Sequence, residues 1–278
     1  MIAMSKAMNI KEILQSTAQI LMPRTCPVCG KALDGGERYI CRRCLMDMPR
    51  TMYEAVPLNN MAQRFVGAVP VERASAYFFY ERNAPYSQIL QDIKYRNVPD
   101  MGRWLARRYA ESTADSGLWD GIDYLIPVPL HIGKLAKRGY NQALYIALGI
   151  SDATQIPVYE AIDAVKGHAT QTHKSAFERR QNTKGLYASI PEADETLAGK
   201  HVMIIDDVIT TGATLLSCAE RLCHIPDISI SFFTLAAARL ALSSTKLMGG
   251  QCSHRSHRSH RIIIIYLTHI QRIKQISQ

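Results

Sequence analysis

The chain has 278 residues, enough for one full core and a small accessory module but too few for two full-sized domains. With 47% apolar and 21% charged residues it is neither disordered nor fibrous, and since no apolar run reaches ~18 residues a membrane-spanning helix is excluded. The formal charge is +9, but residues 243–278 hold six basic groups and no acid, so the preceding 242 residues carry only +3 of it and offer little support for a generally basic, nucleic-acid-binding surface.

In chain order, Ile10, Ile13, Leu14 and Leu21 fall close to one face of a short packing helix. Gln15, Ser16, Thr17 and Gln19 interrupt any continuous apolar core of an export signal. A cytoplasmic, reducing location is therefore expected. Cys26-Pro-Val-Cys29 and Cys41-Arg-Arg-Cys44 form two C-x2-C pairs separated by eleven residues. Two such turns can close a sulfur tetrahedron around zinc. Four thiolates leave no open coordination position, so the spacing predicts a structural zinc ribbon, with the metal supplying stability that so short a segment lacks. Two disulfides or a rubredoxin-like iron site are the alternatives; disulfides need an oxidising compartment. Tyr39, Arg42, Arg43 and Arg50 are candidate nucleic-acid contacts, though solvated polar surface is the simpler reading.

A loop near residues 48–60 leads into alternating strand and helix patterns. Residues 75–80, 124–126, 201–205 and 228–235 read as strands; residues 86–95, 101–112, 141–150 and 214–222 read as helices. This alternation predicts an α/β fold, a largely parallel sheet covered by helices on both faces with its ligand site beyond the carboxyl ends of the strands. Cys218 and Cys223 read as buried small apolar residues.

The most informative stretch runs from Val202 to Thr214, where an apolar strand delivers Asp206 and Asp207 and is followed by Val208, Ile209, Thr210, Thr211, Gly212, Ala213 and Thr214, read as a turn that opens a helix. Backbone amides and hydroxyls at a helix amino end suit a phosphate. Adjacent carboxylates suit the vicinal hydroxyls of a ribose 5-phosphate.

This stretch resembles the phosphoribosyl-pyrophosphate (PRPP) motif of type I phosphoribosyltransferases. Ile126-Pro-Val-Pro-Leu130-His131, Lys137 to Gln142, Thr170-Gln171-Thr172, and Glu178 to Gly185, together with the four cysteines, resemble the ComF/GntX family of competence-associated, phosphoribosyltransferase-like proteins over roughly residues 20–240. The resemblance implies the type I phosphoribosyltransferase fold, with module boundaries at residues 1–55 (helix and zinc ribbon), 65–242 (phosphoribosyltransferase-like) and 243–278 (a low-complexity, basic, non-native or unstructured tail). It implies that Asp206 and Asp207 hold the ribose hydroxyls and carry the catalytic role, with Val208 to Thr214 binding PRPP. The turn from Val128 to Gly133, including Pro129, with Arg138 nearby, would bind pyrophosphate. Lys174, Arg179 and Arg180 would sit on a mobile loop closing over the site. Mg²⁺ is expected beside the diphosphate. The implied activity is phosphoribosyl transfer to an unidentified acceptor with release of pyrophosphate, in DNA uptake. The alternative is a non-catalytic PRPP- or single-stranded-DNA-binding partner of the uptake machinery, and a homodimer stays open. The threefold Ser-His-Arg repeat from Ser253 to Arg261 is low complexity, and Cys252 and the β-prone run Ile262–Leu267 beside it receive no function.

Overall fold

A computed structural model of the protein describes residues 24–56, 58–165 and 186–239. The expected amino-terminal helix, Lys174, Arg179, Arg180, the motif segments between 170 and 185, and the tail from residue 240 lie outside the described residues.

Among the described residues there are six strands: β1 (Val71–Tyr80), β2 (Tyr124–Pro127), β3 (Ile162–Ala164), β4 (Tyr187–Ser189), β5 (His201–Ile209) and β6 (Ser229–Ala238). Seven α-helices accompany them among the described residues: α1 (Arg42–Met46), α2 (Ser87–Tyr95), α3 (Pro99–Ser112), α4 (Ile132–Arg138), α5 (Gln142–Thr154), α6 (Ala193–Leu197) and α7 (Ala213–Leu222). The main sheet has the order β1-β6-β5-β2, and all of its pairs are parallel. β3 and β4 form a separate antiparallel pair.

Successive strand residues face opposite sides of the sheet, and the core divides accordingly. Leu125, Met203, Ile205 and Phe233 pack with α2, α3, α5 and the cysteine segment. Ile126, Val202, Ile204 and Phe232 pack with α6, α7, Met61 and Phe65. This is the expected α/β arrangement, a parallel four-stranded sheet with helices on both faces. Strand β5 runs four residues beyond the expected Ile205, because β6 is itself long enough to pair Val208 with Ala236 and Ile209 with Ala237. The turn after the acids is accordingly limited to Thr210–Gly212. The β3–β4 pair and α4 are additions; three-residue strands are too short to show a period of two.

Two features of this architecture position the site. The first is the early end of β2. The last bond from this strand to β5 is the Val128 amide donating to the Ile205 carbonyl at 2.9 Å, and the chain then turns away at His131, whose Nδ1 accepts from the Gly133 amide at 3.3 Å to open α4. The edge of β5 from Asp206 onward is thereby left uncovered. The second is the packing of the cysteine segment on the main domain. The Phe79 amide donates to the Pro49 carbonyl at 2.8 Å, and the Tyr86 hydroxyl at the head of α2 donates to the Cys44 carbonyl at 2.8 Å.

Helices α3 and α5 approach very closely, since a Cβ built on Gly149 would lie 2.1 Å from the Arg103 carbonyl oxygen. One turn along, Arg103 makes a two-pronged pair with Asp152 at 2.7 and 2.8 Å. Gly149→Ala should therefore force the two backbones apart, lowering stability by about 1–3 kcal/mol, readable as an earlier midpoint in urea or thermal unfolding.

Candidate functional site

Where β2 stops and β5 continues, a cleft of ≈ 420 Å³ opens at the carboxyl ends of the strands. Asp206 and Asp207 line it, along with Val128, Pro129, Val208, Thr210, Thr214 and Arg138. The structure therefore brings together the acid pair, the turn after β2 and part of the threonine–glycine turn, which are up to 86 residues apart in sequence (Val128 to Thr214). Ile209, Thr211, Gly212 and Ala213 are not among the lining residues. Ile209 is buried in the core, and the Thr211 hydroxyl accepts from the Ala213 amide at 3.4 Å.

Gly212 is held from behind. Its φ is +84°, and a Cβ there would meet the Phe65 ring at 3.0 Å, so both the backbone conformation and the close approach of the ring require glycine. Next to Phe65, the buried Arg64 donates from Nη1 to the Thr210 carbonyl and from Nη2 to the Ala238 carbonyl at 3.4 Å. Burial, only partly opposed by Tyr53, holds the Arg64 guanidinium below its ordinary pKa. The turn is thus clamped by a segment to which sequence reading assigns no element.

The two acids have unlike surroundings because adjacent strand residues lean to opposite sides. Asp207 meets Lys94 of α2, with Nζ 2.9 Å from Oδ2 and both side chains largely buried. Asp206 lies on the side of Cys218 and Tyr187, and its Oδ1 accepts the Asp207 amide at 2.8 Å. Burial first, and the Asp207 charge second, push Asp206 up to about 7, against the opposing pull of that amide, Lys94 and Lys134.

Lys134 and His131 also line the cleft. Arg138 is fixed by Gln142 Oε1 at 2.9 Å and by Tyr95, whose ring centroid is 5.0 Å from the guanidinium carbon and whose hydroxyl lies 3.3 Å from Nη2. Tyr187 of β4 and Ala164 of β3 form the opposite wall. Asn141 donates to the Val128 carbonyl at 3.0 Å and accepts the Ala143 amide at 3.1 Å, tying the turn after β2 to the start of α5. Two carboxylates at the floor, cations at the rim and hydroxyls at one side suit a small polyhydroxylated anion. Lys94, Lys134, Arg64 and Tyr187 were not singled out from the sequence: a lysine at the end of a helix reads by default as a solvated charge at the negative end of the helix dipole.

The four cysteine ligand atoms lie within 4.8 Å of one another, with Cys26, Cys41 and Cys44 buried and Cys29 exposed. The Cys29 and Cys41 sulfurs are 3.7 Å apart, which matches the ~3.8 Å edge of a tetrahedron with Zn–S of ~2.3 Å. Gly30 has φ +73°, and its amide donates to the Cys26 carbonyl at 2.8 Å, closing the first turn. The Cys44 amide donates to Cys41 Sγ at 3.4 Å in the second. Burial opposes ionisation of Cys26, but hydrogen bonds with the backbone at Cys41, Cys29 and Val28 outweigh it and bring the thiol down to about 7. The cluster can hold a metal ion such as zinc. Cys218 and Cys223 are buried, as expected of apolar residues.

A second cleft, of ≈ 500 Å³, lies beside the cysteine segment, where Arg38, Arg103, Arg107 and Arg108 surround Trp104. Arg103 and Arg107 are engaged by Asp152 and Glu111, while Arg108 lies over the Trp104 ring at 5.3 Å. Of the four candidate nucleic-acid contacts, Tyr39 meets Trp104 edge-on at 5.7 Å and Arg50 is occupied by Ser112 and the Tyr77 ring; Arg43 pairs with Asp47, and the Arg42 amide donates to Glu37. Among the described residues no helix is long and apolar enough to cross a membrane.

Comparison with known proteins finds relatives over more than half of the chain. The chain is 34% identical over 161 residues to competence protein F of Haemophilus influenzae, covering 55% of this chain and 69% of that protein. It is 26% identical to the DNA utilization protein YhgH of Escherichia coli O157:H7, over 71% of this chain and 83% of the relative. It is 24% identical to competence protein ComFC of Bacillus subtilis, over 76% of each. No family model matches. Among solved structures, a hypothetical protein from Neisseria gonorrhoeae with bound ppGpp aligns with a TM-score of 0.31 and 17% identity, over 55% of this chain and 72% of that one.

The folded chain holds a proton on Asp206 more tightly than the unfolded chain does. Ionising this group therefore destabilises the fold, and stability falls as pH rises from about 4 through about 7. Asp206→Asn should remove that loss, giving at pH 8 a gain of at least about 1 kcal/mol, roughly 2–4 °C in Tm, and little gain at pH 4.5. Thermal unfolding of both proteins at the two pH values measures it.

Proposed function

Starting from the premise that this chain belongs to the competence protein F (ComF) family, we propose that it binds PRPP in the cleft at the end of β5 and transfers its phosphoribosyl group, with release of pyrophosphate. The observation that carries this reading is the convergence of Asp206, Asp207, Thr210 and Thr214 with Lys134 and Arg138 on one cleft. In this reading Asp206 and Asp207 accept hydrogen bonds from the two ribose hydroxyls. Thr210 and Thr214 hold the 5-phosphate at the start of α7, where free amides and the helix dipole favour an anion. The turn from Val128 to His131, with Lys134 and Arg138, receives the diphosphate. Transfer breaks the bond between C1 and the diphosphate oxygen, whose electron pair leaves with the diphosphate, and forms a bond from C1 to an acceptor nucleophile that gives up its proton. Holding the sugar and neutralising the departing charge are the protein's contributions. A magnesium ion fits the same oxygen-rich floor and would supply further charge neutralisation on the diphosphate. The cofactor of the cysteine cluster is, in this reading, zinc in a purely structural role.

A second reading, single-stranded DNA binding without transfer, is favoured by the cleft around Trp104, where Arg38 and Arg108 have no acidic partner among the described residues. One experiment separates the two. The double variant Asp206→Asn/Asp207→Asn should lose calorimetric PRPP binding in Mg²⁺ by at least about 100-fold, with no fall in Tm; hydrogen bonds to charged groups are worth ~1.5–3 kcal/mol each. Unchanged PRPP binding by the double variant would overturn the first reading. Salt-sensitive binding of single-stranded DNA that survives the double variant would support the second.

Elemental analysis of the purified protein should give one zinc per chain. Cys44→Ser should lose it and lower Tm, because the segment buries too little apolar surface to hold itself.

A further inference from the structure

The end of α2 reaches the cleft at two successive residues. Lys94 places Nζ 2.9 Å from Asp207 Oδ2, and Tyr95 stacks on and hydrogen-bonds Arg138. One helix terminus therefore touches both the acid floor and the cationic rim. Lys94 is a lining residue of the cleft, with its side chain 20% exposed. An ammonium group carries three N–H donors, and among the described residues no acceptor other than Asp207 is hydrogen-bonded to it. A partly buried ion pair of this kind adds little to stability, since desolvation offsets most of the attraction. Its position in the cleft lining beside Asp207, with donors to spare, is that of a binding group.

Resting on the reading of this cleft as a PRPP site, we propose that Lys94 is a binding and positioning residue: one N–H holds Asp207 as an acceptor for a sugar hydroxyl, and another donates to the diphosphate on C1. The substrate class this selects is a pentose 5-phosphate carrying a diphosphate at C1, in preference to the same sugar without it. Losing Lys94 should therefore weaken the two sugars unequally, whereas a residue that only braces the fold would weaken both alike.

The test is calorimetric titration of the full chain and its Lys94→Met and Lys94→Arg variants with PRPP and with ribose 5-phosphate, both in Mg²⁺, with Tm as a check on folding. Lys94→Met should bind PRPP at least about tenfold more weakly, equivalent to about 1.4 kcal/mol, and ribose 5-phosphate less than about threefold more weakly; Lys94→Arg should recover most of the PRPP loss. If Lys94→Met does not fold, Lys94→Gln keeps a donor for Asp207 without the charge, and the same selective loss of PRPP is expected. PRPP binding within about twofold of the unaltered protein in the Met or Gln variant would overturn the role of Lys94 while leaving the site reading intact. Equal loss of both ligands, without recovery in Lys94→Arg, would make Lys94 a brace of the fold and overturn it as well. If the unaltered protein binds no PRPP, the site reading itself fails and this inference falls with it.

Discussion

Asp206 and Asp207 share the open edge of β5, and the surrounding architecture exists around the cost of holding both there. Two carboxylates on adjacent residues repel, and burial adds to the difficulty of ionising either. The fold meets this by treating them differently: Asp207 leans toward α2 and is neutralised by Lys94, whereas Asp206 leans toward α7 and is pushed up to about 7. Such an arrangement is unfavourable for the fold by itself, which supports the proposed ligand site at this edge.

The edge is open because β2 is short. Its ladder ends at the Val128 amide, and the following turn is bound to the head of α5 through Asn141 and to α4 through His131. On the far side the threonine–glycine turn is braced by Arg64 and Phe65, which belong to the connection between the cysteine segment and the sheet. Both walls are therefore set by segments remote in sequence from the acids. The cysteine segment is tied into the same framework: the Tyr86 hydroxyl joins Cys44 to the head of α2, and α2 ends at Lys94 and Tyr95. A metal at the four sulfurs would stiffen the first turn of the helix whose last turn lines the cleft.

The alternation of apolar strands and amphipathic helices was legible from residue 75 onward, in the longer elements because each shows its period and in β2 because a short apolar run ends at a proline. Where elements are short, as in β3, β4, α4 and α6, no period is visible, and the first three of these form one wall of the cleft and its basic rim. The four cysteines were legible because the spacing of two C-x2-C turns is itself geometric. The acid pair was legible because its strand, its turn and its helix are contiguous. Lys94 was not, because an ion pair across 113 residues of chain leaves no local pattern.

The sequence by itself determined what local order can encode: the period of each long element, the metal-ligand spacing, and the placing of two acids between a buried strand and a glycine-containing turn. Only the tertiary structure decided which charges face those acids, that β2 ends early enough to leave room beside them, and that a buried arginine and a phenylalanine ring hold the turn in place. These are distances between residues far apart along the chain, fixed by how the helices pack on the sheet.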